Sequence, residues 1–128
     1  MSRTDERRAA TFAAYQRDVT GGAKPEEELT QFALELVEGV EEHREELDRL
    51  ISENAVGWEL DRIAPLERAI MRVALFEMLH RPDIPDEVAI DEAVETAKIY
   101  SGADAPTFVN GILGGVMKRL SGGDRRPA

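Results

Sequence analysis

Apolar residues recur at helical spacing along most of the chain, and glycine and proline interrupt the pattern at intervals. From Leu29 to Ala55 they recur every three or four positions, which predicts a core-facing stripe about five turns long. No segment shows the alternation of apolar and polar residues that is typical of a half-buried strand. We therefore expect an all-α fold, with a single domain over residues 1–120 and a flexible C-terminal tail over residues 121–128.

The same interruptions predict where helices begin and end. Gly21-Gly22 is expected to end the first helix, and Pro25, followed by three glutamates, is typical of a helix start. Gly39 is expected to bend or break the long apolar stripe. The expected helical spans are, approximately, 4–18, 29–55, 65–79, 91–100 and 104–120, where Asp91 and Asp104 serve as N-caps.

The formal net charge of −10 argues against a nucleic-acid partner until the charge is followed along the chain. Residues 1–25 carry a charge of +2, residues 26–97 carry −15, and residues 98–128 carry +3. Both ends are thus mildly basic, and the middle is strongly acidic. This asymmetry indicates a protein that binds partners, although a solvated acidic face explains it as well.

Side chains suited to catalysis or metal binding are scarce. The chain has no cysteine, which excludes disulfides, thiolate zinc sites and a cysteine nucleophile. His43 falls on the apolar stripe and His80 ends a predicted helix, so both are interpreted as structural residues. Phosphate-binding glycine loops and hydrolase motifs do not occur in the sequence. We expect no enzyme activity, no metal site and no cofactor.

Basic and aromatic side chains are interleaved on the first predicted helix. Arg7, Arg8 and Tyr15 lie within about two or three turns of one another. Guanidinium groups neutralise phosphates and an aromatic ring stacks on an unpaired base, so such a surface suits single-stranded RNA. An ordinary surface pair between Asp5 and Arg8 is the simpler interpretation of part of this pattern.

Three longer segments carry a distinctive pattern, and they are Trp58–Leu79, Val88–Lys98 and Phe108–Leu113. They resemble the NusB family of bacterial transcription antitermination factors. Shorter upstream matches, including Ala14-Tyr15-Gln16 and Gly39-Val40, follow in the same order, so the resemblance covers almost the whole chain. It implies an all-α fold of about seven helices in two packed three-helix sub-bundles.

The resemblance also implies a function. Family members bind the boxA element of ribosomal RNA leaders together with NusE, the free form of a small-subunit ribosomal protein. This pair nucleates an antitermination complex on RNA polymerase. The residues assigned to RNA binding on this basis are Arg3, Arg7, Arg8, Tyr15, Phe108 and Asn110. The residues assigned to the acidic face that meets NusE are Glu67 and Glu77.

Two departures from the family pattern predict weak RNA binding by the chain alone. Asp5 and Glu6 interrupt the N-terminal arginine cluster, and Gly114 stands where the family often has aspartate. A divergent NusB-like scaffold that has lost boxA recognition therefore stays an alternative. A homodimer that buries the RNA face is another, and the sequence does not decide between them.

Targeting and membrane signals are not visible in the sequence. No apolar run approaches the roughly 18 residues that a membrane span needs, and the charged N-terminus lacks a secretory core. We expect a cytoplasmic protein with no membrane contact. NusB-like domains also occur fused to rRNA cytosine methyltransferases, but the 128 residues are expected to leave no room for a methyl-donor domain.

Overall fold

The computed structural model describes residues 2–22 and 28–122, which form six α-helices and one 3-10 helix. The α-helices are α1 (Arg3–Val19), α2 (Gln31–Glu42), α3 (Arg44–Asn54), α4 (Pro65–His80), α5 (Asp86–Tyr100) and α6 (Ala105–Ser121), and the 3-10 helix covers Leu60–Arg62. No strand occurs in these two ranges. The expected all-α fold is confirmed, and the seven helical elements match the number expected.

Helix α4 is the centre of the molecule. It packs against all five other α-helices, and every residue from Ala69 to Leu79 is buried. A helix that is buried on all sides belongs in a core. Helices α1, α2 and α4 form one three-helix group, and α4, α5 and α6 form the other, so the two groups share α4. Two buried residues of α4 are charged, and both form ion pairs: Arg72 with Asp48, and Glu77 with Arg7.

The first two helices begin at hydroxyl caps. Ser2 and Asp5 form a reciprocal capping box at the start of α1. Thr30 caps α2, because its side chain accepts a hydrogen bond from the backbone N–H of Ala33 at 3.2 Å. Helix α2 begins at Gln31, and Glu28 precedes it outside any helix, whereas the helix start expected at Pro25 lies outside the described ranges. Residues 25–27 lie outside the described ranges.

The long helix expected over residues 29–55 is divided into α2 and α3. The division lies at His43, whose backbone angles (φ −106°, ψ 17°) depart from the helical values, and not at Gly39. Gly39 remains helical, and a Cβ atom built on it would overlap the ring of Phe76. This glycine therefore serves the close approach of α2 to α4 rather than a bend.

The last two helices begin with prolines nearby. Pro85 occupies the N-cap of α5, so the expectation that Asp91 caps this helix is wrong, and Asp91 lies exposed in its middle. Helix α6 follows Asp104 as expected, although this carboxylate makes no capping hydrogen bond. It extends through Ser121, and residues 123–128 of the expected tail lie outside the described ranges. Among the described residues, no helix is both long and apolar enough to cross a membrane.

Candidate nucleic-acid interface

Arg7 is buried at the contact between α1 and α4. Its Nε donates a hydrogen bond to Glu77 Oε2 at 2.8 Å, and its Nη1 lies 3.8 Å from a carboxylate oxygen of Glu92. Only 8% of Arg7 and 1% of Glu77 are exposed to solvent. Arg7 and Glu77, which the sequence assigned to RNA and to a protein partner, are thus paired with each other and expose little surface.

The buried carboxyl of Glu77 has a raised pKa. Burial is the largest cause, because desolvation disfavours the charged form. The hydrogen bond and the positive charge of Arg7 act in the opposite direction and do not cancel this effect. The ion pair therefore joins α1 to α4, although burying the Glu77 carboxylate costs desolvation free energy. We interpret the pair as a structural contact.

One face of α1 remains at the surface and borders α5. Thr4, Arg8, Phe12 and Tyr15 are three or four residues apart and therefore share this face. Thr4 Oγ1 donates to Glu92 Oε1 at 2.6 Å. About two turns further along both helices, Phe12 packs edge-on against Tyr100 of α5, with ring centroids 5.0 Å apart. The two helices thus run in the same direction where these side chains meet. We call this surface the α1–α5 face.

The aromatic end of the α1–α5 face is accessible. Phe12 is 36% exposed and Tyr100 is 47% exposed, although both have large apolar rings. Tyr15 lies one turn further along α1 and is half-buried. Sequence reasoning placed Tyr15 in this region but missed Tyr100, because position 100 belongs to a helix far from α1 in the chain.

Arg8 lies at the other end of this face among acidic side chains. It lines an open groove with Asp91, Glu92 and Glu95 of α5. Its Nε is buried and has no hydrogen-bond partner among the described residues. The neighbouring carboxylates offset part of the charge that Arg8 offers to a phosphate.

Arg3 faces a different side of α1. Its guanidinium lies 3.9 Å above the centre of the Phe32 ring, a cation–π contact, and Nη1 is 3.5 Å from Glu6. With 61% of its side chain exposed, Arg3 remains accessible. Arg3 and Arg8 are five residues apart, so they point about 140° away from each other around the helix.

Phe108 belongs to a second aromatic surface. Its ring centroid lies 5.9 Å from that of Trp58, and the planes are inclined by 67°. Both rings line an open groove of about 390 Å³, which also contains Glu67, Arg62 and Asp104. We call this the Trp58–Phe108 groove.

Glu67 connects the groove to the α1–α5 face. Its Oε2 accepts a hydrogen bond from Ser101 Oγ at 3.4 Å, and Ser101 directly follows Tyr100. Glu67 is therefore linked to the end of α5, next to Tyr100, and it lines the same groove as Phe108. Of the residues singled out in the sequence, Glu67 and Phe108 line the same groove, and Tyr15 lies on the α1–α5 face.

Asn110 is exposed on α6 but lies two residues from Phe108, and therefore on another side of that helix. A Cβ atom built on Gly111 or Gly114 would have no described atom outside its own helix within 4 Å. Gly115 differs, since a Cβ there would lie 2.8 Å from Asn54 Oδ1. Packing therefore accounts for Gly115, whereas Gly111 and Gly114 leave open backbone beside Asn110 for another molecule to approach.

Sequence reasoning missed an ion-pair network that joins α1, α3 and α4. Asp18 accepts hydrogen bonds from Arg44, from Arg68 at 3.1 Å and from Arg72 at 3.2 Å. Arg72 also binds Asp48 through two nitrogens, at 2.7 and 3.1 Å. Two arginines one turn apart in an apolar helix are the signal that points to such a network.

The pKa of Asp18 lies below its ordinary value. Burial is the largest single cause and would raise it, but the hydrogen bonds from Arg44 and Arg68 and the positive charges of Arg72 and Arg44 together outweigh burial. The network thus holds an ionised aspartate at the C-terminal end of α1. It fixes that end of the helix, and with it the position of Tyr15.

Comparison with known proteins gives consistent matches over the whole chain. The NusB family model matches residues 2–118. The transcription antitermination protein NusB of Rubrobacter xylanophilus is 44% identical over 138 residues, which cover 99% of this chain and 99% of that protein. The solved structure of T. maritima NusB is similar with a TM-score of 0.82 at 32% identity, and 92% of each chain is covered.

A further solved structure is described as antitermination factors NusB and NusE in complex with double-stranded RNA. Its matching chain has a TM-score of 0.76 and 23% identity, and the match covers 93% of this chain and 99% of that chain. At this identity, the likeness shows that the two chains share a fold.

Proposed function

Because this chain belongs to the NusB family of transcription antitermination proteins, we propose that it binds boxA-type single-stranded RNA together with NusE. The bound pair joins an antitermination complex on RNA polymerase, and the protein acts in the cytoplasm, where the transcript is made. Family membership agrees with the expectation that the chain is not an enzyme.

The observation that carries this proposal is the presence of two accessible aromatic pairs, Phe12 with Tyr100 and Trp58 with Phe108. Each ring offers a face or an edge to an unpaired base, and such stacking is a common way to hold single-stranded RNA. Tyr15 lies beyond Phe12 on the α1–α5 face. Large exposed aromatic rings on a small protein are otherwise unfavourable, because they leave apolar area in water.

The cationic part of the RNA contact is small. With Arg7 buried, Arg3 and Arg8 are the arginines of α1's N-terminal half that remain for phosphates, and Arg8 lies among carboxylates. Phosphate neutralisation supplies much of the affinity of RNA-binding proteins. This arrangement supports the expectation of weak RNA binding by the chain alone.

The proposed NusE contact centres on Glu67 in the Trp58–Phe108 groove. Glu67 lies in the first turn of α4, is partly exposed, and borders the aromatic surface proposed for RNA. Ribosomal proteins are generally basic, and complementary charge speeds and orients association. A partner bound here would add its own cations next to the RNA.

Replacing single rings tests the RNA surface. Phe12→Ala and Tyr15→Ala are each expected to weaken binding of a boxA-type oligonucleotide by about 1–3 kcal/mol if a base stacks on the ring. Phe12→Tyr keeps an aromatic ring and is expected to bind as the unchanged protein does. Fluorescence anisotropy with labelled RNA measures the dissociation constants. If both alanine variants bind the RNA as tightly as the unchanged protein does, RNA does not bind at this surface, and the alternative of a helical scaffold is favoured.

A further inference from the structure

Two histidines and a glutamate converge on the side of the protein where α3 begins and α4 ends. His43 lies at the junction of α2 and α3, Glu46 lies in the first turn of α3, and His80 is the last residue of α4. One nitrogen of each histidine and one carboxylate oxygen all lie within 4.8 Å of one another. We propose that His43, Glu46 and His80 bind a transition-metal ion of the zinc class.

The fold explains why these residues meet. The break between α2 and α3 places His43 just before the first turn of α3, three residues ahead of Glu46, so both side chains share one side of α3. Helix α4 then brings His80 to the same place. His80 Nε2 lies 2.8 Å from Glu46 Oε1, and His43 Nδ1 lies 3.8 Å from the same oxygen.

The residue types fit the chemistry of zinc. Imidazole nitrogen and carboxylate oxygen are among its usual protein ligands, and two histidines with one glutamate leave a fourth position for water. The three side chains keep between 21% and 31% of their surface exposed, so an ion in solution reaches them. Softer thiolate ligands are not needed for this class of site.

The surrounding charge favours a cation. Glu41, Glu42 and Glu45 line one open groove with His43 and Glu46. Two arginines, Arg44 and Arg49, also line it, but Arg44 is paired with Asp18 and Asp48. The excess of carboxylates raises the local concentration of divalent cations.

Metal binding requires the two imidazole rings to turn. They are stacked with centroids 3.9 Å apart and planes inclined by 21°, and Phe76 packs against both. A histidine coordinates a metal in the plane of its ring, so both rings cannot reach one ion while they remain nearly parallel. A zinc ion bound at about 2.0–2.1 Å from each ligand would open this stack and replace the hydrogen bond between His80 and Glu46.

This site is separate from the surfaces proposed for RNA and for NusE. None of its three residues lies on the α1–α5 face or in the Trp58–Phe108 groove. A bound ion would join the α2–α3 junction to the end of α4 and stabilise the folded protein by mass action. Metal binding at this site is therefore independent of RNA binding and of NusE binding.

Titration of the untagged, metal-free protein with Co²⁺ and Zn²⁺ tests the site. We expect one equivalent of Zn²⁺ to bind saturably in calorimetry, and bound Co²⁺ to give the visible absorption of a four-coordinate site. The imidazole NMR signals of both histidines should shift as the stack opens. Absence of saturable binding below about 1 mM metal would overturn the proposal and leave a hydrogen-bonded His–Glu pair.

Three variants and one control identify the ligands. His43→Ala, His80→Ala and Glu46→Gln are each expected to reduce Zn²⁺ affinity by about tenfold or more. Glu45→Gln removes an exposed carboxylate from the same groove and should leave the affinity nearly unchanged. Circular dichroism confirms that each variant is folded before titration. If Glu45→Gln and Glu46→Gln reduce the Zn²⁺ affinity equally, the ion is attracted diffusely to an acidic surface, which would overturn the proposed metal site.

Discussion

Arg7 of α1 and Glu77 of α4 form an ion pair in the interior, with Arg7 Nε 2.8 Å from a carboxylate oxygen of Glu77. The pair joins the helix that carries the proposed RNA face to the central helix of the fold. It also withdraws from the surface two residues that the sequence assigned to partners. Of the residues proposed for RNA, Arg3, Arg8, Tyr15, Phe108 and Asn110 are not buried in this way, and Glu67 is the remaining residue proposed for NusE.

The first prediction concerns this pair. Arg7→Ala is expected to lower the free energy of unfolding by about 3–5 kcal/mol, because it leaves a buried carboxylate without its counter-charge. Urea denaturation followed by circular dichroism measures the change. The double variant Arg7→Met/Glu77→Met removes both charges and should recover most of the loss. A loss below about 1 kcal/mol in Arg7→Ala would show that the pair is not buried as described.

The second prediction concerns pH and the ion-pair network at Asp18. Its pKa lies below the ordinary value of 3.8, so its ionised form stabilises the folded state above that pH. This stabilisation is lost as the pH falls through the lowered pKa. Asp18→Asn is expected to be less stable by about 1–3 kcal/mol at pH 7. The difference between the two proteins should shrink as the pH falls below about 4, which urea titrations at several pH values measure.

The control for that comparison is Asp61→Asn. Asp61 is exposed in the 3-10 helix and does not belong to the Asp18 network, so its substitution should change stability little at any pH. A stability gap for Asp18→Asn that stays constant down to pH 2 would contradict the assignment of an ionised aspartate.

The third prediction compares two helical glycines. Gly39→Ala is expected to destabilise the protein by about 1–3 kcal/mol, because its Cβ would overlap the ring of Phe76 and force it to move. Gly111→Ala meets open space and should stabilise α6 by about 0.5–1 kcal/mol. Thermal unfolding of both variants measures the contrast. Similar changes in stability in Gly39→Ala and Gly111→Ala would contradict the close packing of α2 on α4.

Local signals in the sequence were sufficient for some helices. The bounds of α1 and α4 were predicted to within one residue, because Gly21 and Pro65 act on neighbouring backbone. The division at His43 was not predicted, since the packing of Phe76 on Gly39 keeps α2 helical beyond the glycine. That contact joins residues far apart in the chain.

The basic and aromatic residues of α1 could be identified from the sequence, but which of them are buried could not. Arg7 and Arg8 are neighbours in the sequence, yet the 100° turn between them buries the first and leaves the second at the surface. Which of them faces the core depends on where α4 lies. For the same reason, the pairing of Phe12 with Tyr100 required the structure.

The fourth prediction concerns the protein partner. Glu67→Lys is expected to weaken association with NusE by about tenfold or more, because it places a like charge against a basic surface. Calorimetric titration with purified NusE measures this affinity. Glu38→Lys makes the same charge change at an exposed position on α2, outside the Trp58–Phe108 groove, and should bind NusE as before. Equal binding by both variants would exclude Glu67 from the interface.

The most direct test of the central claim is the affinity for boxA-type RNA, measured by anisotropy with and without saturating NusE. We expect weak, salt-sensitive binding by the chain alone and much tighter binding with NusE, and linkage requires RNA to tighten NusE binding by the same factor. An RNA affinity that is the same with and without NusE would contradict joint binding of RNA and NusE.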